Sequence, residues 1–405
     1  MLANNRSSLG VKNGSGIRAM FELGITYRKQ GKKPIDLSIG NPDIKPPAVY
    51  YETLQRLVSE QADLPTNPHK YMPNPGYTDT REVIARDAGS EMGIPLTAAD
   101  IVMTVGAANA IDVVLMTIIE PGAQDEVIII SPYFVEYNNY IENNRGVSVV
   151  VPATNAFDLD LAAIEKALTP QTRALILNSP NNPTGKIYRK ETLTALADIL
   201  RNHNQTTGQT IIVLEDAPYD KIIFGNQQFA SMLGCYPHTI YLTSFSKSLG
   251  LAGERIGFLA MHPEIGSSVD ERQVFQAALA TNLRTRVVNA PALQQKAIEI
   301  LGLKQTVPVE AYGERVEQLA ATLQELGFPL VKPEGAFYLF PQLPERFKSE
   351  EAFRTLAHAG DDPLLYTPGI YFGGKAYARH IRFSACASPE DIARACKKLQ
   401  TIMHS

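Results

Sequence analysis

The sequence is poor in cysteine and contains no tryptophan. Of its 405 residues, three are cysteines, namely Cys235, Cys386 and Cys396. An odd number argues against a disulfide framework, and their spacing does not match that of metal-ligand sets. We therefore expect no structural disulfides and no bound metal. Unpaired thiols of this kind fit a reducing cytoplasm.

Long apolar runs and an excess of one charge are also absent. The longest apolar runs, such as residues 127–130, are far too short to span a bilayer, and the N-terminus lacks the apolar core of a signal peptide. The 38 basic and 42 acidic residues are well mixed and give a formal charge of −4, which leaves no broad basic surface for nucleic acid. The sequence predicts a soluble cytoplasmic protein without nucleic-acid or membrane partners.

What is present is a regular alternation of short apolar runs with amphipathic segments. Runs rich in valine and isoleucine are separated by stretches with helical spacing, such as residues 158–168 and 192–201. The seven runs are residues 101–104, 126–130, 148–151, 174–178, 210–214, 239–243 and 256–260. This pattern predicts an α/β domain in which a mostly parallel seven-stranded sheet lies between helices.

The pattern changes from about Asn289 onward and predicts a smaller α+β unit. The expected elements are a helical region through residue 326, strands over 328–331 and 335–340, a helix from 349, a strand over 378–384 and a closing helix from 388.

The expected organisation is an N-terminal arm over residues 1–45, a large domain over 46–290 and a small domain over 291–405. The arm contains one amphipathic helix over 17–30 and the proline- and glycine-containing segment 37–43. Because the arm is too short to be a domain, we expect it to pack on the small unit or on a partner subunit.

A lysine in a serine-rich turn is the first sign of chemistry. Lys247 lies in the segment TSFSKSLG, and Arg255 follows eight positions later. A lysine amine can form a Schiff base with pyridoxal phosphate, while Ser244, Ser246 and Arg255 can donate hydrogen bonds to a phosphate. The alternative is an exposed lysine in a polar loop.

Two turns that follow predicted strands could also serve a cofactor. The segment GAANA begins at Gly106 and opens a helix, so its backbone N–H groups could face a phosphate. The alternative is a tight turn that needs small residues for packing. The segment NSPNNPTG over 178–185 would form a rigid turn that fixes an asparagine side chain, although asparagine also forms turns without any further role.

Asp216 follows the most hydrophobic strand, at the edge where open α/β sheets bind ligands. A carboxylate there could hold a proton on a pyridine nitrogen and so make the ring a better acceptor of electrons. The alternative role for Asp216 is that of a helix N-cap.

Aromatic and basic residues complete the candidate site. Tyr133 and Phe134 come just after another strand, and an aromatic face there could stack on a cofactor ring or simply pack in the core. Arg382 alternates with apolar neighbours on a predicted strand. Its planar guanidinium suits bidentate binding of an α-carboxylate, but an exposed strand arginine is the alternative.

In this order and spacing, the motifs resemble the fold-type I pyridoxal-phosphate enzymes, specifically the class I/II aminotransferases related to aspartate aminotransferase. The resemblance extends from about Ile35 to the final helix and implies pyridoxal 5'-phosphate (PLP) as the cofactor. It implies that Lys247 is the Schiff-base lysine and proton carrier, that Asp216 is the partner of the ring nitrogen, and that Tyr219 and Asn182 bind the phenolic oxygen. The positions that correspond to the phosphate-binding residues are Gly106, Ala107, Ala108, Ser244, Ser246 and Arg255.

The resemblance also implies how substrate binds and how subunits assemble. Phe134 corresponds to the stacking aromatic, a position where the family often carries tryptophan. Arg382 corresponds to the α-carboxylate arginine, and Gly40 to a backbone contact with substrate. Tyr71 is similar to a tyrosine that reaches the phosphate of the neighbouring subunit's cofactor, which implies a homodimer with shared active sites. A turn with packed tyrosines is the alternative for Tyr71.

The substrate is less well specified by these motifs. Arg284, near an Asn-Ala-Pro segment, aligns with the arginine that some members use across the dimer for a distal carboxylate. This suggests aspartate or glutamate as the amino donor, unless Arg284 and Arg286 are solvated charges at a helix end. A β-lyase, oxidase or cyclase would need the same cofactor residues as an aminotransferase with ping-pong kinetics. A non-catalytic PLP-binding module is the remaining alternative.

Overall fold

The structure, a computed structural model, describes residues 16–60 and 69–404. The α-helices in these ranges are α1 (Gly16–Lys29), α2 (Ala48–Ser59), α3 (Thr78–Met92), α4 (Ala107–Ile118), α5 (Tyr137–Asn143), α6 (Leu161–Ala167), α7 (Lys190–Thr207), α8 (Phe245–Ser248), α9 (Val269–Val287), α10 (Ala292–Leu301), α11 (Val309–Glu325), α12 (Glu350–Ala357) and α13 (Pro389–His404). The β-strands are β1 (Ile35–Asp36), β2 (Ile101–Thr104), β3 (Glu126–Ser131), β4 (Val147–Pro152), β5 (Thr172–Asn178), β6 (Ile212–Asp216), β7 (Thr239–Ser244), β8 (Gly257–Met261), β9 (Tyr338–Leu339), β10 (Leu364–Leu365), β11 (Thr367–Pro368) and β12 (Ile381–Ser384).

Seven of the strands in the described residues form one sheet, in the order β2-β8-β7-β6-β5-β3-β4. Strands β7, β6, β5, β3 and β4 are parallel to their neighbours in this series, whereas β8 is antiparallel to both β7 and β2. Each of the seven strands predicted for the large sheet lies within two residues of an observed strand at both ends. The predicted α/β class with a mostly parallel seven-stranded sheet is confirmed.

Strand β3 explains why these strands appear in the sequence as continuous apolar runs. Val127 and Ile129 pack in a core cluster with α4 on one face of the sheet, whereas Ile128 and Ile130 pack in a second cluster with α7 on the other. A parallel strand that is buried on both faces carries apolar residues at successive positions. Its sequence therefore lacks the alternation of apolar and polar residues that marks a half-exposed strand.

The covering helices are amphipathic. Helix α7 buries Leu193, Leu196, Ala197 and Leu200 along one side, which is the spacing of a single helical face. No helix in the two described ranges combines the length and apolar content needed to cross a membrane.

A second, smaller unit is built from the C-terminal elements and part of the arm. Strands β11, β12 and β9 form an antiparallel three-stranded sheet. Its core cluster includes residues of α11, α12 and α13 together with Ile35 and Leu37 from the arm. Strand β1 of the arm pairs in parallel with β10. The arm residues 1–15 lie outside the described residues.

Several predicted elements of this part of the chain were wrong. Residues 328–331 form no strand, although Phe328 is buried in the core of the small unit. The helical region that we expected from about residue 289 through residue 326 is interrupted once, because Gly302, with φ +64°, ends α10 and Pro308 precedes α11. The last strand begins at Ile381, not at 378, since a 3₁₀ turn occupies Gly374–Tyr377.

The division of the chain at residue 290 stays a prediction. Helix α10, which follows that position, packs on α2 and α3. Its residues Ala297 and Ile298 share a core cluster with Ile84 of α3 and Phe258 of β8. This packing favours a boundary between α10 and α11, where the core of the small unit begins with Val307.

The close pairing of β7 and β8 leads to a prediction about stability. A Cβ atom at Gly257 would lie 2.5 Å from the carbonyl oxygen of Thr243 and 3.0 Å from Gly106 Cα. We expect Gly257→Ala to lower the free energy of unfolding by about 1–3 kcal/mol, because backbone atoms would have to shift. Urea denaturation measures the change. Gly253→Ala is the matched control, since nothing lies within 4 Å of a Cβ there; equal stability of the two variants would contradict this account.

Candidate active site

A cavity of about 280 Å³ lies at the edge of the large sheet where β5, β6 and β7 end. The last residues of these strands, Asn178, Asp216 and Ser244, all line it. The predicted site residues that line it are Gly40, Ala107, Ala108, Phe134, Asn182, Asp216, Tyr219, Ser244, Ser246, Lys247, Arg255 and Arg382. The fold thus brings together residues that are up to 342 positions apart in the sequence (382 − 40).

Lys247 lies in the one-turn helix α8, directly after β7. Its Nζ atom donates a hydrogen bond to the carbonyl oxygen of Gly40 at 2.6 Å and lies 5.9 Å from the centre of the Phe337 ring. Burial is the main reason why the pKa of its ammonium group is lowered to about 8; the charges of Arg382 and Arg255 act in the same direction, whereas Cys386 opposes the shift. Lys247 is therefore not the exposed surface lysine of the alternative interpretation.

The start of α4 offers an anion site. Gly106, with φ +83°, precedes the helix, and no side chain caps the free N–H groups of the first turn. Arg255 closes over this turn, with Nη2 donating to the carbonyl oxygen of Val105 at 3.2 Å and Nη1 donating to Ser246 Oγ at 3.4 Å. A Cβ at position 106 would lie 2.6 Å from Arg255 Nη2, and the positive φ of Gly106 independently favours glycine. Gly106 itself supports the cavity without lining it.

Asp216 is the last residue of β6 and is 5% exposed. A turn follows it, so the N-cap alternative is wrong. Its Oδ2 atom accepts a hydrogen bond from Tyr137 Oη, whereas Oδ1 is buried without a partner among the described residues. Burial raises the pKa of this carboxyl group to about 7 against the opposing effect of the hydrogen bond from Tyr137. A cationic ring nitrogen beside Oδ1 would stabilise the ionised form.

Arg382 is 1% exposed on β12, which excludes the exposed-arginine alternative. Its Nη1 donates to Asn182 Oδ1 at 3.0 Å, Nη2 donates to the carbonyl oxygen of Ser38, and the guanidinium carbon lies 4.5 Å from the centre of the Tyr338 ring. No carboxylate of the described residues forms an ion pair with it, and Nε has no partner among them. A buried guanidinium without a counter-charge is a strong attractor for a carboxylate.

Tyr219 and Asn182 are held in place by their neighbours. The hydroxyl oxygens of Tyr219 and Tyr338 are 2.9 Å apart. The backbone N–H of Asn182 donates to Asn178 Oδ1 at 2.7 Å, and its Oδ1 is occupied by Arg382. Because Arg382 binds Oδ1, the N–H groups of the Asn182 side-chain amide can serve as donors to a ligand.

Several cavity residues were missed by the sequence interpretation. Tyr338, Tyr140, Ile17 and Ile39 line the cavity but carry no motif that sets them apart from core residues. Tyr137, which bonds Asp216, lies three positions after Phe134, and their rings meet edge to face with centres 5.7 Å apart. The spacing of Phe134, Tyr137 and Tyr140 could have indicated three aromatic residues on one helical face.

Besides Gly106, two further predicted site residues do not line the cavity of a single chain. Tyr71 is 90% exposed, and Arg284 is exposed in the last turn of α9. Both were predicted to act across a dimer, and these roles stay predictions.

Comparison with known proteins identifies the family. The model for aminotransferase class I and II matches residues 32–399. The chain belongs to this family. A probable aspartate aminotransferase of Methanocaldococcus jannaschii is 31% identical to this aminotransferase over 94% of this chain and 95% of the relative. An aromatic-amino-acid aminotransferase 2 of Thermococcus litoralis is 31% identical over 98% and 97%.

A solved structure supports the same assignment. The crystal structure of an aminotransferase from Eubacterium rectale superposes on this structure with a TM-score of 0.89 at 31% sequence identity. The aligned region covers 99% of this chain and 98% of the Eubacterium rectale chain. The fold-type I resemblance inferred from the motifs is therefore confirmed, and the protein is a PLP-dependent aminotransferase.

The residues of the cavity fit this cofactor. The uncapped start of α4 with Arg255 suits a phosphate, and the unpartnered Oδ1 of Asp216 suits a protonated ring nitrogen. Lys247 supplies an amine in the same cavity. The anion site, the carboxylate oxygen and the amine that PLP requires are thus all found around one cavity of a single chain.

The lowered pKa of Lys247 can be measured in the cofactor-free protein. We expect its rate of reaction with an amine-specific reagent to reach half of its maximum at pH about 8, because burial disfavours the ammonium form. Mass spectrometry of the modified peptide gives the rate at each pH, and Lys247→Arg identifies the signal. A midpoint close to about 10.4, the value for an unperturbed lysine, would contradict the proposed environment.

Proposed function

We propose that this enzyme transfers an amino group from an L-amino acid, with aspartate or glutamate as the preferred donor, to a 2-oxo acid in two half-reactions. The observation that supports the catalytic part of this proposal is Lys247. Its amine lies in the cavity that Asp216 and Arg382 also line, and burial lowers the pKa of its ammonium group to about 8. An amine that is partly neutral near physiological pH can accept the α-proton of a substrate.

The proposed roles follow from the contacts of each residue. Gly106, Ala107, Ala108, Ser244, Ser246 and Arg255 would hold the phosphate of PLP, and Phe134 would stack on its ring. Asp216 would bind the ring nitrogen, Asn182 and Tyr219 the phenolic oxygen, and Lys247 would hold the cofactor covalently through Nζ. When bound, PLP supplies a ring that withdraws electrons from the α-carbon of the amino acid.

Substrate is oriented by the small unit and the arm. Arg382 would bind the α-carboxylate through its guanidinium and thereby gain the counter-charge that the protein does not provide. The backbone carbonyl oxygen of Gly40 accepts a hydrogen bond from Lys247. It would hold the amine in the cavity once the amino group of the substrate has replaced Lys247 on the cofactor. Lys247 would then remove the α-proton, and the same residue would return a proton to complete the half-reaction. Because the second substrate binds after the first product leaves, ping-pong kinetics follow.

The dicarboxylate preference depends on a second subunit. The cations that line the cavity among the described residues are Lys247, Arg255 and Arg382, and all three have other proposed roles. A distal carboxylate therefore needs another cation, which Arg284 of the partner subunit would supply in a homodimer. Arg284 is exposed and has no ion-pair partner among the described residues. Tyr71 of the partner subunit would likewise reach the phosphate.

A second candidate donor is an aromatic or aliphatic amino acid. Ile17, Ile39 and Tyr140 line the cavity and give it an apolar wall. Apolar surface binds apolar side chains without a counter-charge. The relative from Thermococcus litoralis, named as an aromatic-amino-acid aminotransferase, has the same sequence identity to this chain as the relative named as a probable aspartate aminotransferase.

For the location of the enzyme we propose the cytoplasm, because Cys235, Cys386 and Cys396 are all free thiols.

The reaction type is tested in a single half-reaction. Mixing the PLP-loaded enzyme with one amino donor and no acceptor should form one pyridoxamine phosphate for each active site. Lys247→Ala should lower the rate by about 10²–10⁴-fold, because a positioned general base is lost. Absorbance spectroscopy and analysis of the released cofactor report the result. Release of ammonia or consumption of oxygen would instead indicate a lyase or an oxidase, and a rate unchanged by the substitution would refute the role of Lys247.

The donor is tested by comparing kcat/KM for aspartate, alanine and tyrosine. We expect aspartate to be preferred, and Arg284→Gln to lower its kcat/KM by about tenfold or more while that of tyrosine stays unchanged. Arg286→Gln is the matched control, because Arg286 lies on the same helix end but pairs with Asp112 at 3.3 Å. No preference for aspartate, or equal effects of the two substitutions, would refute the dicarboxylate hypothesis and favour the apolar donor.

A further inference from the structure

A buried tyrosine that the proposed mechanism does not use contacts the central carboxylate. Tyr137, the first residue of α5, is 1% exposed, and its Oη atom donates a hydrogen bond to Asp216 Oδ2. This is the only side-chain hydrogen bond of Asp216 among the described residues. The hydrogen bond from Tyr137 therefore fixes the orientation of the Asp216 carboxylate.

The contact makes the two oxygens of Asp216 different. Oδ2 is occupied by the phenol, and Oδ1 remains the oxygen that can bind a ligand in the cavity. The backbone of Asp216 is held as well, because Asn178 Nδ2 donates to the backbone carbonyl oxygen of Asp216 at 2.8 Å. Because the backbone of Asp216 and its Oδ2 atom are both held, Oδ1 is the carboxylate oxygen left to accept a hydrogen bond from a ligand.

Electrostatics make Tyr137 a permanent donor. Burial, together with the charge of Asp216, raises the pKa of its phenol well above the usual value, so the proton stays on the tyrosine. Donation to Oδ2 in turn favours the ionised carboxylate, in opposition to the effect of burial. The neighbouring Tyr140 and Tyr219 also have phenol pKa values raised by burial and remain neutral.

Packing keeps the phenol in place. The Tyr137 ring belongs to the core cluster on the α4 face of the sheet and contacts Phe134 edge to face at 81°. Because the ring is enclosed, loss of its hydroxyl would leave the ring position unchanged but release the carboxylate. The hydroxyl group can therefore be tested separately from the aromatic ring.

We propose that Tyr137 is a positioning residue that holds Asp216 with Oδ1 available to the ring nitrogen of PLP. The proposal rests on the proposed role of Asp216 as the partner of that nitrogen. Tyr137 does not contact substrate in this account, and it acts on the cofactor only through the carboxylate.

The test compares the affinity of the cofactor-free enzyme for two ligands. One is PLP, and the other is its analogue in which a C–H group replaces the ring nitrogen. Tyr137→Phe should weaken PLP binding by about tenfold, the effect of losing a hydrogen bond to a charged group, and should change binding of the analogue by less than about twofold. Isothermal titration calorimetry measures both affinities in a chain that lacks tryptophan. Equal weakening of both ligands, or of neither, would overturn the proposal.

Tyr241→Phe is the matched control. Tyr241 is a buried tyrosine whose Oη donates to Asp220 Oδ2 at 2.7 Å, outside the cavity. Its loss should lower the midpoint of thermal unfolding as Tyr137→Phe does, without changing either affinity. A selective loss of PLP binding in Tyr241→Phe as well would show that the effect is not specific to Tyr137 and would overturn the proposal.

Asp216→Asn separates this proposal from the proposed function. It should abolish the preference for PLP over the analogue. If it does and Tyr137→Phe does not reduce the preference, only the role of Tyr137 is refuted. If Asp216→Asn leaves the preference intact, the proposed role of Asp216 is refuted, and the role of Tyr137 with it.

Discussion

The buried guanidinium of Arg382 is the constraint on which the arrangement of the site depends. It belongs to the small unit, bonds Asn182 in the large unit and the carbonyl oxygen of Ser38 in the arm, and lies between the rings of Tyr338 and Phe372. Burying an unpaired charge is costly unless hydrogen bonds and a counter-ion compensate it. The three segments of the chain supply the hydrogen bonds, and no carboxylate of residues 16–60 or 69–404 pairs with the guanidinium, so an anionic ligand would supply the missing counter-charge.

The same logic explains the other charged groups of the cavity. Lys247 and Asp216 are both held in environments that disfavour their charged forms, and burial is the main cause in each case. The lysine with a lowered pKa suits proton transfer, and the aspartate in the same cavity suits stabilisation of a positive charge. Lys247 and Asp216 lie at the carboxyl ends of the strands of a sheet whose two faces are covered by apolar core clusters.

The sequence predicted the large domain well because its physical signals are local. A run of valine and isoleucine followed by a small or polar turn residue indicates a buried parallel strand, and Asp216 and Lys247 were found because they directly follow such runs. The small unit was predicted less well, since its strands are two to four residues long and Gly302 and Pro308 divide one helical pattern into separate helices. Tyr137 and Tyr338 were missed because their roles arise from contacts with residues 79 and 119 positions away, which no local pattern reports.

The distribution of the site between chains has a consequence for selectivity. Every group proposed to act on the α-carbon, the ring nitrogen or the α-carboxylate lies within one chain, in the cavity described above. The groups proposed to read the substrate side chain are of two kinds, an apolar wall that includes Ile17 and Ile39 and an exposed cation, Arg284, outside that cavity. If Arg284 has the proposed role, substitutions on the exposed face of α9 would therefore change the preferred donor while the buried chemistry stays intact.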